Sequence, residues 1–185
     1  MCNGRHYHQP MPYSPIIGTL AYLWCQADDT ILMVYRTGRP DDEHLGKYNG
    51  LGGKLEADED VVAGIKREIQ EEANLTLTSL ALRGTISWPG FGKNGEDWLG
   101  FVFLATEWHG TEPATNEEGR LEWIDRKRLV AACSEDPATR LAADLPMWEG
   151  DRFFLPLVFD PDPRPFHGVM PYYGGSPNSW TYHRI

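Results

Sequence analysis

The chain has 185 residues, 41% hydrophobic and 24% charged, with a formal net charge of −10. That length suits one domain with a substantial core, and the acidic balance excludes a nucleic-acid partner, whose phosphates are held by Lys and Arg. No apolar run approaches the roughly 20 residues of a membrane span, and the opening MCNGRHYHQP has no signal-peptide core, so no membrane partner and a cytoplasmic address are expected.

The three cysteines, Cys2, Cys25 and Cys133, have no metal-ligand spacing and read as a terminal thiol and two small apolar residues. The six histidines are scattered, with no paired-ligand motif. Residues 1–13 are polar and read as loosely held, ahead of a domain over 14–170 and a tail over 171–185.

Two β-rich runs open the domain, Ile16 to Gln26 and Thr30 to Arg36, joined by a hairpin turn. A turn-forming stretch, Thr37 to His44, carries Arg39, either a phosphate contact or a loop charge. Next, Lys47 to Lys54 reads KYNGLGGK, a glycine loop that lets backbone approach a ligand or metal closely.

The second half of Gly52 to Leu75, GGKLEADEDVVAGIKREIQEEANL, reads as one amphipathic helix. Asp58 is the predicted N-cap, with Glu59 and Asp60 in the first turn, where the helix dipole favours acids. Val62, Ile65, Ile69 and Ala73 make the buried side, and Asn74 closes the helix in a left-handed conformation. Glu68, Glu71 and Glu72 stand at i, i+3 and i+4, within about 5–6 Å of one another on the dipole's negative end. Like charges placed there are unfavourable. They read either as a solvated acidic face or as ligands for a divalent cation, and oxygen donors suit Mg²⁺ or Mn²⁺.

Beyond the helix, Thr76 to Trp88 and Trp98 to Trp108 read as strands, the second central, joined by an exposed turn over Pro89 to Glu96. A polar loop, Glu112 to Glu118, leads to a short strand from Arg120 to Ile124. Arg126 to Cys133 reads as helix, broken near Pro137. Arg152 to Phe159 is open between strand and helix, because Pro156 suits the interior of neither. A strand-like piece over Phe166 to Met170 precedes the Pro- and Gly-rich end, and together these elements predict an α/β fold with a mixed sheet.

Gly53, Glu59, Arg67-Glu68-Ile69, Glu71-Glu72 and Leu75 together resemble the Nudix box, G-x5-E-x7-R-E-U-x-E-E-x-G-U, with Asn74 in place of the last Gly. The resemblance implies the Nudix α/β/α sandwich and hydrolysis of a diphosphate linked to another group. On it, Glu68 and Glu72 hold a divalent ion, Glu71 holds a second or orients a coordinated water, Gly52 and Gly53 offer a backbone carbonyl to the metal, and Arg67 pairs with Glu59 to orient the glutamates. Glu118 is the implied general base and further metal ligand, and Glu117 is the alternative base.

Outside the box the chain is similar to the MutT-type oxidised-purine nucleoside triphosphatases. YNGLGGK looks like their W-N-G-F-G-G-K; MWEGDRFFLPL looks like their M-W-P-D-D-x-x-W-F-P-L; Phe166-His167-Gly168 matches their F-H-G. This implies a small-molecule nucleotide substrate, 8-oxo-dGTP-like, bound by Asn49, Trp148, Asp151, Trp88, Arg36 and Lys54, in a monomer or homodimer. Gly150 stands where those relatives carry the first of two base-reading aspartates. Other Nudix substrates, such as an ADP-sugar or dinucleoside polyphosphate, and a non-catalytic nucleotide sensor are the alternatives.

Overall fold

The computed structural model describes residues 13–185 except 39 and 41. Arg39 and the predicted loose segment up to residue 12 therefore lie outside the described residues. The elements run β1 (Ile16–Cys25), β2 (Thr30–Arg36), β3 (Tyr48–Asn49), α1 (Val61–Ala73), β4 (Leu75–Leu77), β5 (Ala81–Trp88), β6 (Trp98–Ala105), β7 (Trp108–Gly110) and β8 (Gly119–Asp125). Then follow α2 (Arg126–Ala132), α3 (Pro137–Ala143), α4 (Asp151–Phe159), β9 (Phe166–Val169), β10 (Tyr172–Tyr173), β11 (Ser176–Pro177) and β12 (Thr181–Arg184).

Among the described residues the main sheet has eight strands in the order β12-β9-β5-β6-β1-β2-β3, with β8 also on β2. It is mixed: β1–β6 and β5–β9 run parallel, and the other pairs run antiparallel. Side chains alternate across it, as the pleat requires. Ala21, Leu23, Leu32 and Phe103 pack with Ile65, Ile69 and Ala73 of α1 on one face. Tyr22, Ile31, Met33 and Val102 pack with Leu129, Phe154, Leu155 and Val158 of α2 and α4 on the other. This is the expected three-layer arrangement, with β6 central. No helix among the described residues is long and apolar enough to cross a membrane.

Local chemistry corrects four expectations. The N-cap of α1 is Asp60, not Asp58: Asp60 Oδ1 accepts from the amides of Val62 (2.8 Å) and Ala63 (2.9 Å). With that phase Val62 is 42% exposed, and Gly64 takes the buried place under Leu55. Pro137 starts a helix instead of breaking one, because at the first helical position its missing N–H costs nothing, and Asp136 caps it. The two long strand readings each divide. Thr78 and Ser79 both turn their amides to Glu107 O, so Leu75–Leu77 pairs with Trp108–Gly110 as a separate ribbon.

Asn74 closes α1 with φ 55°, as expected, and Arg152 to Phe159, open between strand and helix in the sequence, is helical with Pro156 inside it.

Two arginines tie the end of α4 to the chain's last strand. Arg83, on β5, donates to Val158 O (2.8 Å), Asp160 O (3.0 Å) and Asp162 O (2.9 Å). Arg184, on β12, donates to Leu157 O (3.3 Å), Arg164 O and Asp160 Oδ2 (2.5 Å). These bonds satisfy carbonyls that a helix end leaves open. The segment read as a tail thus completes the sheet, and Trp180 covers Gly168 so closely that a Cβ there would lie 2.1 Å from the indole. Arg184→Ala is expected to cost roughly 2–4 kcal/mol, since it strands Asp160 and several carbonyls at once. Urea denaturation checks this; a loss below about 1 kcal/mol, the scale of a surface ion pair, would remove the clamp.

Candidate active site

A cleft of about 690 Å³ opens where β1, the glycine loop after β3, the turn after β5 and the start of α4 meet. Asn49, Gly52, Gly53, Lys54, Arg36, Trp88, Glu118, Trp148 and Asp151 all line it. Glu68, Glu71, Glu72 and Arg67 are not among its lining residues; they stand behind the glycine loop at one end.

That end is built on close backbone approach. Gly52 has φ 139°, and a Cβ there would lie 2.2 Å from Thr19 O, so only glycine fits. Its amide donates to Glu72 Oε2 at 3.0 Å. A Cβ on Gly53 would lie 2.4 Å from Glu68 Oε1, so the missing side chain is what lets the Glu68 carboxylate in. Gly53 O accepts the Thr19 amide at 2.8 Å.

Arg67 grips Glu59 with two bonds, Nε to Oε1 at 2.7 Å and Nη2 to Oε2 at 3.0 Å. Its Nη1 reaches Glu68 Oε1 at 3.0 Å and Glu71 Oε2 at 3.2 Å. The arginine is thus bonded at once to Glu59, Glu68 and Glu71. Glu71 is turned outward, with its side chain 60% exposed. Among the described residues no three acidic, His or Cys side chains converge into a ready metal-holding group.

Burial pushes the Glu68 carboxyl upward. Glu72 is pushed up further, by burial first and then by the charge of Glu118. Glu118 reaches that position through Asn116, which pattern reading did not single out. Asn116 Oδ1 accepts the amides of Glu118 and Gly119 at 2.9 Å each, and its Nδ2 donates to Glu72 O at 3.1 Å. Arg36 donates to Glu118 and, at 2.7 Å, to Asp42.

The other end is aromatic. Trp88 lies over Gly100, where a Cβ would be 2.1 Å from its ring. Phe91, in the turn expected to be exposed, is half-buried between Trp88 (centroids 6.0 Å), Trp148 (5.9 Å) and Tyr172 (4.9 Å). Two polar groups line the same cleft as these rings. Asn49 Nδ2 is buried and has no hydrogen-bond partner in the protein, and burial raises the Asp151 carboxyl to about 7. At Gly150 the space for a side chain is taken: a Cβ would lie 2.2 Å from Tyr172 Oη. The glycine found in place of an aspartate thus makes room for a tyrosine from the last segment.

A model of the NUDIX domain matches residues 17–145, well over half of the chain; Trp148 and Asp151 lie beyond it. An oxidized purine nucleoside triphosphate hydrolase of Danio rerio is 32% identical over 113 residues, 61% of this chain and 63% of that protein. The uncharacterized Nudix hydrolase YvcI of Bacillus subtilis is 30% identical over 104 residues, 54% of this chain and 61% of that protein. The chain thus spans less than two thirds of the length of these relatives. A crystal structure of a MutT protein from Bacillus halodurans superposes with a TM-score of 0.71 at 24% identity, over 90% of this chain and 97% of that one, a likeness of fold. The box spacing, the three-layer sheet with its glycine loop against Glu68 and Glu72, and the match over 17–145 agree: the chain belongs to the Nudix family.

Proposed function

We propose that the chain is a hydrolase that cleaves a purine nucleoside triphosphate, with an oxidised, 8-oxo-dGTP-like base as the preferred substrate, to the monophosphate and pyrophosphate. One observation carries this reading: a single cleft is lined by an unpaired Asn49 amide, a protonatable Asp151, Trp88, Trp148 and Glu118. A buried donor without a partner is costly, and a base edge that accepts from it removes the cost. Trp148 and Trp88 offer flat faces for the ring. The oxidised-purine activity named for the Danio rerio relative supports the choice of base.

Nudix hydrolases generally use divalent metals, and the donor set here suits one. Glu68, Glu72 and Glu118 are all-oxygen, crowded and in part desolvated, so Mg²⁺ or Mn²⁺ is the proposed ion. Glu68, Glu72 and Glu118, with a Gly52 or Gly53 carbonyl, would hold it, and the outward-turned Glu71 would hold a second ion or orient water. When bound, such an ion neutralises phosphoryl oxygens and lowers the pKa of water. The chain's own part is positional. Arg67 fixes Glu68 through Glu59, and Arg36 and Lys54 place cations along the polyphosphate. Glu118 is the proposed acceptor for the proton of the attacking water.

Pyrophosphate release from a panel of normal and oxidised nucleotides, with and without chelator, tests this. Oxidised purine triphosphates should lead, and chelator should stop turnover. Equal rates on pyrimidine triphosphates would remove the base reading, and full speed in chelator would remove the ion.

A further inference from the structure

Trp148 does not hang free over the cleft. An indole N–H can only donate, and Trp148 Nε1 donates to Nδ1 of His44 at 2.7 Å. Nδ1 must then be the accepting nitrogen, which leaves the ring proton on Nε2 and His44 neutral. The imidazole stands edge-on to the indole, with centroids 5.4 Å apart at 83°. On the same indole, Lys47 Nζ lies 4.3 Å from the ring centroid.

His44 is itself anchored. Asp42 Oδ1 accepts the His44 amide at 3.0 Å, and the Lys47 amide donates to His44 O at 3.0 Å. Asp42 Oδ2 accepts from Arg36 Nε at 2.7 Å, and the same guanidinium donates to Glu118. Bonded contacts therefore run unbroken from the aromatic wall to the acidic end of the cleft.

We propose that His44 is a positioning residue for substrate specificity: as a neutral acceptor it sets the plane of Trp148, the wall on which the nucleobase stacks. This rests on the reading of Trp148 given above. It adds a residue whose spacing carries no motif and which belongs to a loop, not to the box. A stacking wall free to rotate would lose part of the base's binding energy to the ordering of the side chain.

The charges around His44 are Arg36, Asp42, Glu43 and Glu118, with Lys47 over the indole and Glu149 beside Trp148. Burial and Arg36 hold the imidazole below its usual value, while the acids push it the other way. His44 therefore stays neutral at pH 7. Acidification places a proton on Nδ1, two N–H groups face each other, and the bond fails.

The test uses the full chain labelled with ¹⁵N, the Trp148 indole resonance being assigned by its loss in Trp148→Phe. In the wild type that resonance should move as pH falls through the histidine range. His44→Ala should shift it, abolish the pH response and raise KM for the preferred purine nucleotide about fivefold with little change in kcat, the size of one hydrogen bond. His44→Gln, whose amide oxygen accepts without titrating, should restore KM and remain flat with pH. In a Trp148→Phe background His44→Ala should add nothing further.

An indole resonance indifferent to His44→Ala would overturn the inference, and so would a KM penalty that persists in full without the Trp148 N–H. A kcat loss as large as the KM change would also overturn it, since a wall for the base has no part in the bond-breaking step. A wild-type chain that hydrolyses no nucleotide would defeat the reading of the cleft instead. The His44–Trp148 coupling would still be judged by the resonance alone.

Discussion

Glu72→Gln is expected to reduce kcat by at least about a hundredfold, the usual loss when one preorganised electrostatic element is removed, while leaving the fold intact. The amide is nearly isosteric and can still accept the Gly52 N–H that Glu72 holds at 3.0 Å. It removes a charge that sits behind the glycine loop, desolvated and close to Glu118. Without divalent cation the variant should be as stable as the wild type or more so.

The pH dependence gives the sign. A carboxyl whose folded pKa is raised contributes stability that is whole below its ordinary value of 4.5 and is lost as pH rises through the folded value. Wild-type chain in chelator should therefore lose thermal stability as pH rises from 4.5 towards the folded value, and Glu72→Gln should lose less. Adding Mg²⁺ should raise the wild-type Tm more in mildly alkaline buffer than in acid, and the variant's Tm by much less at both. A cation effect of equal size in both proteins would take Glu72 out of the ion's ligand set, whatever the activity assay shows.

What the chain's order of residues made readable was mostly local. The helical spacing located α1, its left-handed Asn74 close and the Glu68, Glu71 and Glu72 cluster, because a helix converts fixed offsets into fixed neighbours, while the Arg67–Glu59 pair came with the family resemblance. Alternation located the strands, and apolar richness put β6 in the middle of the sheet. Offsets say nothing about partners distant in the chain. Asn116 steadies Glu118 against Glu72 across 44 residues, and His44 meets Trp148 across 104. Those contacts exist only once the sheet has formed.

Caps were misplaced for a related reason. Asp58 and Asp60 are the same residue type two positions apart, and the structure gives the cap to Asp60, with Glu59 between them turned to Arg67. The final segment carried the least signal. Arg184 reads as one charge near the end of the chain, yet its value lies in carbonyls exposed by the close of α4. Likewise Gly150 reads as a lost acid, although Tyr172 fills the place its side chain would take.

Asp151 supplies the second large effect. It sits in the first turn of α4, where the dipole favours an anion, yet full burial overrides the dipole and brings its carboxyl to about 7. Near neutrality the group is thus poised between an acid that donates and accepts and a carboxylate that only accepts. With the unpaired Asn49 amide lining the same cleft, the neutral form gives the cleft two donors from this pair, and the ionised form gives it one.

The expected result follows from that difference. Asp151→Ala should lower kcat/KM for the preferred purine by about 10–100-fold, as loss of a buried hydrogen bond of roughly 1.5–3 kcal/mol does. Asp151→Asn, which donates at every pH, should retain more activity than Ala. The wild-type KM should rise above pH 7 while the Asn variant stays flat. Stability should follow the same group: its contribution is whole below the ordinary value of 3.8 and is lost as pH rises through about 7, so Asp151→Asn should flatten that slope in urea titrations. If the Asn variant keeps the wild-type pH profile of KM, the proton on Asp151 is not what the substrate reads. Recognition would then rest on Asn49 and the aromatic walls alone.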